Sequence, residues 1–335
     1  MPSFRWNEDI PVIFFPFRFL FSPSNSFQAT KQITHALSKA GTAVVSAVLL
    51  CLLSLSPLWA NDSQSARRII STSPSITETL FELGLADRVI AVTDYCKYPD
   101  TACQLPSIGG MINPSMETVV SLNPDLIIHP SGNQRIASNA KSLGIQTLTM
   151  DMGNLAEIFA SIEKLGTALN CQESADKLLG SLNKGIAFYK ERHLPKKEVL
   201  LLLGDSSDPS RDLYAAGPGT FLNELLNIAG GNNIVRSSPA RYPKLSKEYI
   251  IEKSPEIIIE AGPRSNLSQE EIDLRIQEWS RFPTIKAVKN KQIHFIGADY
   301  ILIPGPRLLK IIERFSKAIH PDLFADATKK TISNP

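Results

Sequence analysis

Histidine, cysteine and recognisable catalytic signatures are scarce in this chain, and their scarcity excludes several functions at once. Only 5 of the 335 residues are His, and they are scattered. His35 falls in the leader. His129 and His294 sit in or beside aliphatic strands, where a hydrogen-bonded core histidine is expected, and His193 and His320 end helices, where a partial positive charge is favourable. No phosphate-binding GxxxxGK[ST] loop occurs, and AAGPGTFLNELL, with Gly217-Pro218-Gly219, lacks the third glycine of a dinucleotide fingerprint. There is no G-x-S-x-G elbow. The reading therefore assigns no catalytic residue, no metal and no cofactor. An enzyme is the rival class and a purely structural adaptor a third; fold alone excludes neither.

An excess of one charge is missing too. The formal net charge is +2, and residues 1 to 60 hold four basic residues (Arg5, Arg18, Lys31, Lys39) against two acids (Glu8, Asp9). The remainder is balanced, which gives no reason to expect nucleic acid as a partner. Nor is there a membrane-spanning run: the apolar stretch Ala43 to Leu55 (AVVSAVLLCLLSL) falls short of the ~20 residues required. Preceded by Lys31 and Lys39 and followed by Pro57 and Leu58-Trp59-Ala60, it has the layout of a secretory signal cleaved near Ala60. Leu50 before Cys51 is not the small residue of a lipoprotein site. Residues 1 to 38 are too long for a signal n-region, which places the true start downstream.

Three cysteines follow the leader. Cys96 and Cys103 flank a short Pro-containing loop (CKYPDTAC), for which a local disulfide is the natural reading in an oxidising compartment. A metal site is the rival, although two cysteines without a nearby histidine are poor zinc spacing. Cys171 is left as a packed thiol.

What the chain does have is alternation of aliphatic strands with helical stretches from Arg68 onward, the pattern of an α/β fold with largely parallel sheets. The strands RIIST, VIAVTD, LIIH and TLTM belong to a first lobe over 67–152; EVLLLLGD, EIIIEA and IHFIG belong to a second over 196–325. Continuous Val/Ile/Leu runs mark strands covered on both faces. The connector 153–195 reads as helices at Leu155 to Ala168 and Glu173 to Arg192, the second long enough to join two similar lobes as a stiff rod. Residues 326–335 form a tail.

One pattern occurs twice. PSMETVVSLNPDLIIH (Pro114 to His129) returns as PKLSKEYIIEKSPEIIIE (Pro243 to Glu260). Glu117 and Glu248, Pro124 and Pro255, and Asp125 and Glu256 are each 131 positions apart. Two facing α/β lobes leave a cleft, the default ligand site at strand carboxyl ends.

Together with the rod helix and RRIISTSPSITETLFELGLADRVIAVTDYCKYP (Arg67 to Pro99), these stretches resemble the helical-backbone substrate-binding proteins of ABC importers, most closely the periplasmic cobalamin-binding proteins. The resemblance covers about Arg67 to Phe324. It implies a periplasmic monomer that holds a metal-chelate ligand, cobalamin or another corrinoid, between lobes and delivers it to a permease dimer in the inner membrane. It also implies that Glu117 and Glu248, one per lobe tip, pair with permease arginines. Tyr95, Tyr242, Asp299 and Tyr300 match ligand-contacting loops, and Tyr214 is a further candidate. Flat aromatic faces with a few polar groups suit a large macrocycle. Where cobalamin binders often carry a cleft tryptophan, this chain has Gly109, Gly110 and Met111, which leaves the corrinoid open. The same loop lacks the ligating tyrosine of haem-binding relatives. A ferric siderophore, calling for cleft cations such as Arg241 and Arg211, or haem stays as the alternative ligand within the same importer class. Trp279 is expected in the core.

Overall fold

The computed structural model describes residues 66–204 and 213–324. The leader with its expected signal, Cys51, Arg211 and the tail after Phe324 lie outside the described residues.

The first lobe contains β1 (Ile69–Ser71), α1 (Pro74–Glu82), β2 (Val89–Ala91), α2 (Met116–Ser121), β3 (Leu126–Pro130), α3 (Gln134–Ser142) and β4 (Gln146–Met150). Its sheet is parallel throughout in the order β2-β1-β3-β4. The central strands β1 and β3 are buried along almost their whole length, the reason their sequences are aliphatic without polar alternation. Edge strand β4 is half polar. Ser73 starts α1 by accepting a hydrogen bond from the Ile76 N–H, with Pro74 in the first turn where its missing N–H costs nothing.

Two helices follow: α4 (Leu155–Ala168) and α5 (Gln172–Glu191). The 20 residues of α5 span roughly 30 Å. Its buried stripe of Ala175, Leu178, Leu182 and Ile186 packs on α4 at one end and on the second lobe at the other. A single hydrophobic core runs through it, from Ile69 and Ile158 in the first half of the chain to Leu225 and Phe315 in the second. No helix of the described residues is long and apolar enough to cross a membrane.

The second lobe contains β5 (Lys197–Leu203), β6 (Leu213–Ala215), α6 (Phe221–Ile228), β7 (Gly231–Asn233), β8 (Lys244–Leu245), α7 (Lys247–Lys253), β9 (Ile257–Gly262), α8 (Gln269–Trp279), α9 (Lys286–Lys289), β10 (Ile293–Gly297) and α10 (Leu308–Ile319). Strand order is β10-β9-β5-β6-β8, with β7 also pairing β5. The parallel set β10-β9-β5-β7 repeats β4-β3-β1-β2, and antiparallel β6 and β8 are added beyond it. β6 and β8 are only three and two residues long, too short to leave a periodic signal in sequence.

The doubled motif folds the same way twice. In each copy a serine, Ser115 or Ser246, caps a short helix by accepting from the N–H three residues on. The helix ends at a residue in the left-handed conformation, Asn123 (φ 44°) or Ser254 (φ 41°). A buried proline and then the acid lead into β3 or β9.

Candidate ligand cleft

The site is built where strands of both lobes end. β1 runs out at Ser71, β3 at Pro130 and β4 at Met150. Beside these ends, Ser73, Met111, Pro130, Met150 and Met152 line a pocket of about 370 Å³ that Leu302, Ile303 and Pro304 of the second lobe also line. Its wall is mostly thioether and aliphatic. Met111 is held there because the Asn133 side chain donates to the Met111 carbonyl at 2.7 Å.

Four tyrosines on loops and short strands of the two lobes are partly exposed. Tyr95 is 61% exposed and Tyr98 40%, both on the loop after β2. Tyr214 (45%) lies on β6 opposite Leu203, the last residue of β5, and Tyr242 (40%) precedes β8. Burial of the rest of its ring pushes the Tyr242 phenol up.

The Tyr95 loop is fixed by chemistry that the spacing of its cysteines did not reveal. Cys96 and Cys103 are free thiols, which corrects the disulfide expectation. The Cys96 sulfur is turned into the core, where it meets the Thr77 hydroxyl at 3.1 Å and that of Thr93 at 3.3 Å. Cys103, in the 3₁₀ helix Asp100–Gln104, is exposed and its sulfur approaches the Lys97 carbonyl at 3.4 Å. The loop is anchored by a buried thiol bonded to two threonines instead of by a covalent bridge. Cys171 is half-buried, and burial pushes its thiol up.

The loop after β10 places the other predicted residues around an arginine that sequence reasoning missed. Arg307 donates from Nε and Nη2 to the two Glu78 oxygens at 2.8 and 2.6 Å, and from Nη1 to Asp299 at 2.6 Å. Its guanidinium also lies 4.0 Å from the Tyr98 ring centre and 5.0 Å from that of Tyr300. Glu78 is buried, which pushes its carboxyl up against the opposing pull of Arg307. Asp299 keeps about half of its side chain in solvent.

Arg241, expected as a cleft cation, is ion-paired with Glu157 of α4 at 3.1 Å. The same carboxylate accepts from the Gly153 N–H at 2.8 Å. A side chain at Gly153 would overlap that guanidinium, so only glycine admits the close approach. Trp279 is in the core as expected, donating to buried Glu260 at 2.7 Å. His129 is likewise buried and bonded, to the Pro130 carbonyl and to Thr149.

Glu117 and Glu248 are far from this chemistry in the chain, each exposed in the first turn of its helix. Hydrogen bonds from its own N–H and from Ser246 hold the Glu248 carboxyl below its usual range. Among the described residues no cluster of three or more His, Cys, Asp or Glu could hold a metal ion.

Two α/β lobes joined by a helix, with a thioether-lined pocket between them, have the build of a ligand-binding protein. The family model for a periplasmic binding protein matches residues 69–300, and the chain belongs to that family. It is 30% identical over 268 residues to an uncharacterized ABC transporter substrate-binding lipoprotein, YvrC, of Bacillus subtilis, covering 78% of this chain and 82% of that one. It is 28% identical to a vitamin B12-binding protein of Yersinia pseudotuberculosis, over 66% of this chain and 78% of the relative. A periplasmic heme binding protein from Pseudomonas aeruginosa superposes with a TM-score of 0.67 at 21% identity, over 77% of this chain and 94% of that one. This chain is a solute-binding protein of the ABC-importer type.

Proposed function

We propose that this chain captures a corrinoid in the interlobe cleft and delivers it to an ABC permease in the inner membrane. The observation that carries the reading is the pocket lined by Met111, Met150 and Met152 between the lobes, in a protein that also exposes tyrosines on the loops of both lobes. Such a surface suits a broad macrocycle bearing neutral polar groups at its rim. Among the described residues, Arg241 is ion-paired with Glu157 and Arg307 with Glu78 and Asp299, which suits an amide periphery better than the anionic groups of a ferric siderophore. The loop Ser107 to Ser115 carries neither tyrosine nor histidine.

The protein works as a monomer, with lobes over 67–152 and 196–325 joined by the connector 153–195. It is exported, with the signal cleaved near Ala60. Tyr95, Met111, Tyr214, Tyr242, Asp299 and Tyr300 contact the ligand. Glu117 and Glu248 dock on the permease dimer, where a pair of exposed carboxylates on a stiff spacer gives register and on-rate.

Haem is the second reading, favoured by the exposed phenols, since tyrosinate is an established ligand of ferric haem. Calorimetry with cyanocobalamin and with cobinamide, beside an absorbance titration with haemin, separates the two. Stoichiometric corrinoid binding is expected. No corrinoid heat together with a new ferric tyrosinate band would replace the proposal by the haem reading.

A further inference from the structure

The interlobe ion pair carries an inference that rests on the cleft being the ligand site but can be tested without any ligand. Glu78 belongs to α1 of the first lobe and Arg307 to the turn that opens α10 of the second, 229 positions away. Their contact is bidentate, with 2% of the Glu78 and 8% of the Arg307 side chain exposed. A guanidinium fork meets a carboxylate in one plane, so the pair fixes orientation as well as distance.

The remaining Nη1 reaches Asp299, whose side chain extends into solvent. The ring centres of Tyr98, from the first lobe, and Tyr300, from the second, lie 4.0 and 5.0 Å from the same guanidinium. One cation therefore touches a carboxylate and an aromatic ring from each lobe. At its far side Gly305 lies against the Ser75 carbonyl of α1, so the loop bearing Asp299 and Tyr300 is seated directly on the first lobe.

We propose that Arg307 is the positioning residue of the cleft: through Glu78 it fixes the separation of the lobes, and through Asp299, Tyr98 and Tyr300 it holds the rim groups ready before ligand arrives. The ligand then meets a preorganised rim, and less affinity is lost in ordering it. Charge alone does not suffice for this role, because a lysine ammonium can keep one contact but not the fork.

The test uses the mature protein with the paired replacement Glu78→Met/Arg307→Met, which substitutes an apolar pair of similar volume and leaves no buried charge unpartnered. Arg307→Lys and the milder Asp299→Asn, at an exposed side chain, serve as variants that keep the fold if the pair does not. In a Cys103→Ser/Cys171→Ser background, spin labels at Lys141→Cys and Gln277→Cys report the interlobe distance in the absence of ligand. A single narrow distribution is expected for the native pair, and a broadened or shifted one for the paired replacement and for Arg307→Lys. Cyanocobalamin affinity of the folded variants should drop at least tenfold for the paired replacement and severalfold for Asp299→Asn. An unchanged distance distribution in both Arg307 variants overturns the proposal whatever the ligand. Failure of the unaltered protein to bind cyanocobalamin, with the distances still broadened by the variants, overturns the corrinoid reading and leaves the positioning role in place.

Discussion

Asp125 and Arg68 bond to each other twice. The Asp125 N–H donates to the Arg68 carbonyl at 2.9 Å, and the Asp125 carboxylate accepts from the Arg68 N–H at 2.9 Å. In the second lobe Glu256 and Glu198 form the same ring, at 2.8 Å in both directions. The acid after the proline thus closes the open amino end of the neighbouring parallel strand, satisfying a donor that has no partner in the ladder. The doubled Pro-acid-aliphatic pattern is a strand-pairing device.

Replacing these acids should therefore loosen the sheets at their starts. Asp125→Ala is expected to cost about 1 kcal/mol, its carboxylate being exposed, and half-buried Glu256→Ala about 1.5 to 3 kcal/mol. Urea unfolding measures both. Equal, negligible losses would show the contacts to be incidental.

Glu117 and Glu248 behave differently in the same motif, because neither bonds across the sheet and both face solvent. Charge reversal at both, Glu117→Lys/Glu248→Lys, should leave ligand affinity unaltered and lower stability only modestly, because each helix start loses a favourable acid and Glu248 its hydrogen bonds. Uptake through the importer in reconstituted vesicles should be lost, and the loss should be steepest at low ionic strength, where the repulsion introduced against permease arginines is least screened. Undiminished uptake would remove these residues from the docking surface.

Much of this architecture was legible beforehand, and the exceptions have physical causes. Strands β1, β3, β5 and β9 announced themselves by unbroken aliphatic runs, and the structure starts α8 with a capping box between Ser268 and Glu271. The constant 131-residue offset exposed the lobe repeat. What stayed hidden was contact between distant positions. Glu78 in TETLFE looks like any helical glutamate, and nothing local to it points to Arg307. Cysteine spacing constrains how close Cys96 and Cys103 come along the chain but not which way each thiol turns, and one turned inward. The pocket-lining segment Leu302 to Pro304 reads as an ordinary apolar loop until the first lobe is set against it.

The capping box of α8 makes a pH prediction. Glu271 accepts from the Ser268 N–H at 2.8 Å and from Arg264 at 2.7 Å, which together hold its carboxyl at about 2. Because that lies below the ordinary 4.5, its contribution is present in full above pH 4.5 and fades as pH falls towards 2. The melting advantage of the native protein over Glu271→Gln should accordingly be larger at pH 6 than at pH 3. A difference independent of pH would mean that the neutral cap suffices.

Gly185 tests how tightly the connector is seated on the second lobe. It lies on α5, where glycine in a helix interior ordinarily costs about 1 kcal/mol relative to alanine, so Gly185→Ala would stabilise an isolated helix. Here a methyl at that position would overlap both methyls of Leu309 on α10. Overpacking of this kind typically costs 1 to 3 kcal/mol, which outweighs the propensity gain unless Leu309 can turn aside. Gly185→Ala is therefore expected to lower stability by about 1 to 2 kcal/mol in urea titration. Adding Leu309→Ala should cost less in the Gly185→Ala background than in the native one, because the new methyl occupies part of the space vacated. Additive losses would show that helix and lobe are not in contact at this point, and a stiff connection between the halves would have to be sought elsewhere along α5.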